Sequence, residues 1–354
     1  MNILIIPDSF KGSLTSNEVC DAIKNGILKS KNSNYYIETI PFSDGGEGFS
    51  KCLGELTNAT IIKTVCHDIY NIKKECNYYT FDNTAIIDTS TASGIQKRKN
   101  IMHASSIGTG ELILDAYNKG FKNIILGLGG TGCCDGGIGA LSKLGIVFYD
   151  ELYNPINNPK AIDMNNVFGI SYKNKLKDLN ITYACDVDNP YFGKHGAAYV
   201  FAPQKGARKT DVSELDEGLQ RLNAFYNKDI SNIKGCGAAG GICGGLYAIY
   251  GGSIKSGFDI LSSYSKLEEK IKSSDIIITG EGKTDKQTLM GKLPFKISEL
   301  AKKHNKKSIL ISGIIEDNIK ICDKMISLVD DNIDSQYAME NAKLLLEQKS
   351  MNIL

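Results

Sequence analysis

The segment Ser274–Lys292, SDIIITGEGKTDKQTLMGK, sets an apolar run directly beside a dense group of reactive side chains. Ile276, Ile277 and Ile278 read as a short buried strand, β-branched throughout. The run passes straight into Thr279, Gly280, Glu281, Gly282, Lys283, Thr284, Asp285, Lys286 and Gln287. Carboxylates hold a metal or take a proton, a lysine neutralises phosphate, and glycines let a backbone come close to a ligand. A strand that stops abruptly at such residues suits the carboxyl edge of a parallel sheet, where open α/β sheets bind ligands. In isolation, an ordinary strand-to-helix loop with solvated charges would look the same.

The same pattern recurs. Asp8, Asp44, Asp135, Asp186 and Asp285 each sit where an apolar segment ends. One such residue is a turn-former or a helix cap; five in one setting invite a shared role. Two roles fit: Mg²⁺ ligation, which takes one or two carboxylates plus phosphate oxygens, and general base toward a substrate hydroxyl. Lys11 and Lys205, each followed by a glycine, are suited to neutralise phosphate or a substrate carboxylate; as surface residues they would simply extend into water. Acid, lysine and glycine-lined backbone are the parts that phosphoryl transfer needs. Gly282-Lys283-Thr284 is not the end of a P-loop, because Ile277 stands where that motif needs its first glycine. Gly127-Leu128-Gly129-Gly130-Thr131-Gly132 matches GxGxxG after a strand, with Asp150 near the distance of a ribose-binding acid. Asp135 would then lie in the first helical turn, against the pyrophosphate, and Gly136, Gly137 and Gly139 would weaken that helix. An NAD-dependent hydroxy-acid dehydrogenase therefore stands as the rival reading. Cys185 and Cys236 read as small core fillers, with no histidine nearby in sequence.

Positioning these groups falls to the elements around them. Asn2–Ile6 reads as a strand breaking at Pro7-Asp8. Thr15-Ser16-Asn17-Glu18 is a capping box opening a helix with Val19, Ile23 and Ile27 on one face. Tyr35–Pro41 is a strand ending in Ser43-Asp44-Gly45-Gly46-Glu47-Gly48. Three strands ending alike, from opposite ends of the chain, point to one shared cleft. After Ala59 the character changes: 59–65, 73–81 and 84–87 read as strands without intervening helices, hence antiparallel. Further strands are expected at 123–128, 146–149 and 181–184, and a long helix at 211–226 with Leu215, Leu219 and Leu222 as its stripe. The glycine-rich stretch 235–252 makes a weak helix and signals close backbone approach. A helix over 257–271, the strand 276–278, a helix entered at Pro294, strands at 308–311 and 325–329 and a helix over 335–348 close the chain.

Composition narrows the class. At 354 residues two domains are the default. A net charge of +1 with interspersed signs gives no basic face for nucleic acid or a membrane surface. Ten scattered cysteines without a CxxC pair suit reduced thiols in a cytosol. The four histidines lie too far apart for zinc spacing. The apolar start Met1–Ile6 lacks the basic lead-in of a signal peptide, and no run approaches membrane-spanning length.

Pro7-Asp8-Ser9-Phe10-Lys11-Gly12-Ser13 and Asp44-Gly45-Gly46-Glu47-Gly48 resemble the N-terminal signatures of the bacterial class I glycerate kinase family. Asp186-Val187-Asp188-Asn189-Pro190, Pro203-Gln204-Lys205-Gly206-Ala207 and Gly237-Ala238-Ala239-Gly240-Gly241 resemble its central blocks. Thr279-Gly280-Glu281-Gly282 with Asp285 and Gln287 resembles its C-terminal one. The blocks come in family order across nearly the whole chain. Where that family reads Gly-Gly-Ser-Ala-Thr-Asn-Asp-Gly-Gly, this chain has Gly129-Gly130-Thr131-Gly132-Cys133-Cys134-Asp135-Gly136-Gly137, so Cys134 replaces an amide. Ala202 replaces the usual glycine before Pro203, and Lys283 the usual arginine, losing a bidentate grip on phosphate.

The resemblance implies a cytoplasmic phosphotransferase using ATP and Mg²⁺ to convert D-glycerate to 2-phosphoglycerate, with no nucleic-acid or membrane partner, as a monomer or homodimer. It implies an α/β fold of two domains: a discontinuous Rossmann-like parallel-sheet domain from residues 1–60 and 273–354, and an inserted mixed α/β domain over 61–272. The active site would lie in the cleft between them. Asp186 is the expected base, Lys11 and Lys205 the expected phosphate or carboxylate partners, and Asp285 with Glu281 the metal-side carboxylates, Asp8 and Asp44 being alternates. Ser9, Gly45, Gly46, Glu47, Gly130, Asp135, Asn189, Gly240, Gly241 and Gln287 complete the expected substrate- and nucleotide-binding set. A non-catalytic relative that keeps the fold stands as a second alternative, with Cys134 its one support.

Overall fold

The computed structural model describes residues 1–30, 35–42, 48–97, 99–316 and 318–354. Asp44, Gly45, Gly46 and Glu47 of the expected site lie outside the described residues. Strands, in chain order, are β1 (Asn2–Pro7), β2 (Tyr36–Thr39), β3 (Thr60–His67), β4 (Lys73–Phe81), β5 (Thr84–Asp88), β6 (Asn123–Gly127), β7 (Val147–Tyr149), β8 (Gly169–Ser171), β9 (Asn180–Ala184), β10 (Ser253–Lys255), β11 (Ile276–Thr284), β12 (Lys307–Ile315) and β13 (Lys324–Ser327). The chain divides into two compact units, Met1–Asp44 with Phe258–Leu354, and Gly45–Gly257.

The first unit is built on a parallel sheet of order β13-β12-β11-β1-β2. Ile3 to Pro7 of β1 are all buried, as expected for a strand covered on both faces. Pro7, Gly280, Ile311 and Ile326 form one row across four strands, so whatever follows them emerges at a common edge. The capping box at Thr15 is present: Glu18 N–H donates to Thr15 Oγ1, and Thr15 N–H donates to Glu18. It starts the helix Ser16–Leu28, whose Val19, Ile23 and Ile27 are buried. The chain's last helix, Ala342–Ser350, packs on it at Gly26, where a Cβ would stand 2.3 Å from the Glu347 carbonyl oxygen. Both ends of the chain thus build one layer.

The second unit carries a six-stranded sheet of order β10-β9-β6-β5-β4-β3. Its first four strands are parallel and the β3–β4–β5 pairs antiparallel, as the absence of helices between them indicates. Asp88, Gly127, Ala184 and Lys255 form its carboxyl-edge row. Helix Phe49–Leu56 packs on β4 and β5 and so goes with this unit, whereas Leu267–Ser273 packs on β1 and belongs to the first. The helix Lys209–Phe225 buries Leu215, Leu219 and Leu222 completely.

The structure corrects several expectations. β11 does not stop at Ile278 but continues to Thr284, because β1 on one side and β12 on the other pair with it beyond the apolar run. The helix expected over 257–271 breaks into Gly257–Ser265 and Leu267–Ser273 at Lys266, which adopts a left-handed conformation (φ 52°). The last helix similarly divides into Ser335–Glu340 and Ala342–Ser350. Reduced thiols were expected throughout, yet Cys66 and Cys76 are joined in a disulfide between β3 and β4; their strands pair antiparallel, bringing their Cα atoms to 6.3 Å.

Candidate functional site

At the edge of the first sheet, Glu281 and Thr284 of β11 are buried and Lys283 is exposed. Glu281 is only 5% exposed. Its Oε1 accepts from the Thr284 hydroxyl at 2.9 Å and the Thr288 hydroxyl at 2.7 Å, while its Oε2 faces Lys292 Nζ at 3.9 Å. Burial pushes this carboxyl above its ordinary value, against the pull of the two hydroxyls and Lys292. Asp285 lies just past the strand. Its Oδ1 accepts from the Gln287 N–H at 2.9 Å and faces Lys292 Nζ at 3.6 Å, and its Oδ2 faces Lys283 Nζ at 3.7 Å. Burial raises Asp285 too, but the Gln287 N–H and the two lysines outweigh it and hold the group below the usual value. The two neighbouring carboxylates are therefore tuned in opposite directions.

The turn after β1 reaches the same edge. Asp8 N–H donates to the Gly280 carbonyl at 2.8 Å, and the Lys11 backbone passes within ordinary contact of Gly282. Asp8 Oδ1 accepts the Ser9 N–H at 2.7 Å, while Ser9 and Lys11 are exposed. The structure thus brings together Asp8, Ser9, Lys11, Glu281, Asp285 and Gln287 from the expected set. Sequence reasoning missed Lys292 and Thr288; Thr288 closes onto Glu281 through the turn after Asp285, where its N–H donates to the Asp285 carbonyl at 2.9 Å, and Lys292 follows the left-handed Gly291 (φ 103°).

The second unit's edge presents Asp186, exposed, whose two oxygens each lie 3.2 Å from the Gly257 N–H. Asn189 follows, its amide donating to the His195 carbonyl at 2.8 Å. Gly130 is exposed and left-handed (φ 69°), and its carbonyl accepts from Ile95 N–H at 3.1 Å. This fastens the Gly129–Gly132 turn to the segment after β5, a contact reinforced where Gly132 N–H meets the Ser93 carbonyl at 2.8 Å. Asp88, at the end of β5, is another acid that sequence reasoning passed over; it accepts from the Ser50 hydroxyl at 2.7 Å.

Four expected ligand contacts turn inward instead. Asp135 is fully buried, and its oxygens accept from Ser106 N–H and Oγ (both 2.7 Å), Gly137 N–H (3.1 Å) and Gly139 N–H (3.2 Å). Burial pushes its carboxyl up, opposed by those same donors. Gly240 and Gly241 are buried with positive φ, and a Cβ on Gly240 would lie 2.1 Å from the Cys133 carbonyl oxygen. Gly136 N–H donates to the Gly240 carbonyl at 3.1 Å, so the two glycine-rich stretches meet backbone to backbone. Lys205 is also buried; its ammonium donates to the Cys133 carbonyl at 2.8 Å and reaches Thr131 Oγ1 at 3.4 Å. Cys134 is wholly buried in the core, its thiol pushed up to about 12 chiefly by burial.

GxGxxG chemistry finds no support in this geometry. No helix starts until Ile138, and that one, Ile138–Lys143, is short. Asp150 accepts N–H groups of Leu152 and Asn154 in its own turn. For Mg²⁺, no group of three or more His, Cys, Asp or Glu forms a cage among the described residues. Mg²⁺ takes one or two carboxylates plus substrate phosphate; Asp285 and Glu281 are two neighbouring carboxylates of that donor type, each facing the Lys292 ammonium.

Comparison with known proteins agrees over the full length. A family model described as the glycerate kinase family matches residues 3–354. A protein named glycerate kinase from Bacillus cereus is 36% identical, the match covering 98% of this chain and 93% of that one. Glycerate 2-kinase of Escherichia coli is 34% identical, over 91% of this chain and 87% of its own. A crystal structure of a glycerate kinase 2 candidate from Salmonella typhimurium LT2 superposes with a TM-score of 0.88 at 32% identity, covering 100% of this chain and 97% of that one.

Proposed function

Since this enzyme belongs to the glycerate kinase family, we propose that it transfers the γ-phosphoryl group of ATP to D-glycerate, giving ADP and 2-phosphoglycerate. The observation that carries the reading is the family match over residues 3–354, which spans every acid and lysine at both sheet edges. The acceptor hydroxyl oxygen forms a bond to the γ-phosphorus as the bond to the bridging oxygen breaks. The electrons of that broken bond remain on ADP, and the hydroxyl proton passes to Asp186. Asp186 is accessible and steadied by the Gly257 N–H, which suits a base that must meet a substrate. Lys11, exposed beside Asp8 and Gly282, is suited to a phosphate or carboxylate. Asp285 and Glu281 would hold Mg²⁺, which would offset the negative charge of the phosphates during transfer. Lys205, Asp135, Gly240 and Gly241 would act by fixing the Gly129–Gly137 loop from within.

The reading is of a cytosolic enzyme. Eight free cysteines among the described residues favour it, with Cys66–Cys76 the exception, and no helix there is long and apolar enough to cross a membrane. The test is ³¹P NMR of the product from Mg-ATP with D-glycerate and, separately, L-glycerate. The 2-phosphoglycerate resonance from D-glycerate is expected, and its loss in Asp186→Asn with ATP still bound. A 3-phosphoglycerate resonance would refute the regiochemistry, and normal turnover by Asp186→Asn would remove that residue as base.

A further inference from the structure

Lys292 has no part in the scheme above, yet its side chain is placed with unusual economy. It is the residue before helix Leu293–Lys303, follows the left-handed Gly291, and is about one-third exposed. Its Nζ stands 3.6 Å from Asp285 Oδ1 and 3.9 Å from Glu281 Oε2. Those separations are close enough for charge attraction and too long for an N–H···O hydrogen bond. An ammonium carries three donors, and among the described residues none of those on Lys292 is taken up in a hydrogen bond. Two other lysines of the expected chemistry differ: Lys283, at the same strand edge, is engaged by Glu316 at 2.8 Å, and Lys205, in the other unit, by the Cys133 carbonyl at 2.8 Å. Two carboxylates therefore hold the Lys292 charge at the strand edge without consuming its N–H groups.

We propose that Lys292 is a further catalytic residue, donating to a phosphate oxygen of the nucleotide at the carboxyl edge of β11. The inference rests on the ATP-phosphotransfer reading for its reaction, but the binding event can be observed without turnover. Lys292 exchanges no proton: the P–O bond formed is to the acceptor oxygen, the one broken is to the ADP oxygen, and the ammonium supplies charge and hydrogen bonds to both charged states. Glu281 and Asp285 keep it aimed, so a neutral side chain of similar length removes the contact while sparing the packing.

The experiment measures calorimetric binding of inorganic tripolyphosphate without Mg²⁺, together with ATP kinetics and urea midpoints, for the wild type, Lys292→Met and Lys292→Arg. One charge-assisted hydrogen bond predicts that Lys292→Met weakens tripolyphosphate binding about tenfold to a hundredfold. The same variant should lower kcat/KM for ATP at least as much, and Lys292→Arg should recover most of the binding. Wild-type affinity in Lys292→Met would overturn the proposal. So would activity lost only in step with the urea midpoint and not recovered by Lys292→Arg. If the wild type releases no ADP with D-glycerate while tripolyphosphate binding still depends on Lys292, the proposed substrate fails and the role of Lys292 stands.

Discussion

Thr279–Asp285 and Gly129–Gly137 look interchangeable as sequence: each follows an apolar strand, and each mixes glycine with an acid. In the fold they diverge. The first remains strand for most of its length, carried by pairing to β1 and β12, and leaves Asp285 at an edge facing two lysines. The second leaves its strand at once and folds Asp135 into the interior, where four donors from Ser106, Gly137 and Gly139 surround it. Its Gly136 and Gly137 serve contact with Gly240 and Gly241. Glycine next to an acid therefore signals close approach of a backbone; what approaches is settled by whether the acid finds internal donors.

The contrast should break most visibly at the two aspartates. Asp135→Ala strands four buried donors at about 1–3 kcal/mol each, so a loss of at least about 4 kcal/mol is expected in urea denaturation, or no folded protein at all. Asp285→Asn should leave the urea midpoint nearly unchanged while lowering kcat by on the order of a hundredfold, the scale of removing one preorganised electrostatic group. A stable, active Asp135→Ala would end the comparison.

Glycines sharpen it next. Gly240→Ala must fit a Cβ 2.1 Å from a carbonyl oxygen at positive φ, and a cost of about 3 kcal/mol is expected. Gly282→Ala meets nothing nearer than the Lys11 nitrogen at 3.4 Å, so its stability should shift by no more than about 1 kcal/mol. Comparable midpoints for the two variants would count against backbone-to-backbone packing as the reason for the inner glycines.

A smaller effect concerns pH. Asp135 is raised above its ordinary 3.8 in the folded chain, mainly by burial. Its contribution is thus fully present below 3.8 and declines as pH rises through the folded value, because the unfolded chain ionises first. The stability of the wild type relative to Asp135→Asn should accordingly fall with rising pH over that window, read from urea curves at successive pH values. A difference that grows with pH would mean the donors outweigh burial. Smallest of all, Thr288→Val removes one hydroxyl from Glu281, worth about 1 kcal/mol.

Much of this was legible beforehand for definite reasons. The Thr15 capping box, the buried isoleucines of β1 and the leucine stripe of Lys209–Phe225 are local signals, and local physics decided them. The family blocks located Asp8, Lys11, Asp186 and Asp285 at the ends of strands that do form parallel edges. What stayed hidden depends on partners far along the chain. Glycine, glutamate and lysine are poor strand formers, so the continuation of β11 to Thr284 was visible only in its neighbours. Asp135 meets Ser106, and Gly240 meets Cys133, across separations that no local pattern encodes. Lys292 reaches Asp285 and Glu281 only once the intervening turn is built.

The most direct test is D-glycerate-dependent ADP release from Mg-ATP by the purified chain, compared with the same mixture lacking glycerate. The account predicts ADP release that requires D-glycerate and saturates with it. A folded protein that binds ATP yet releases no ADP beyond the glycerate-free rate would contradict it.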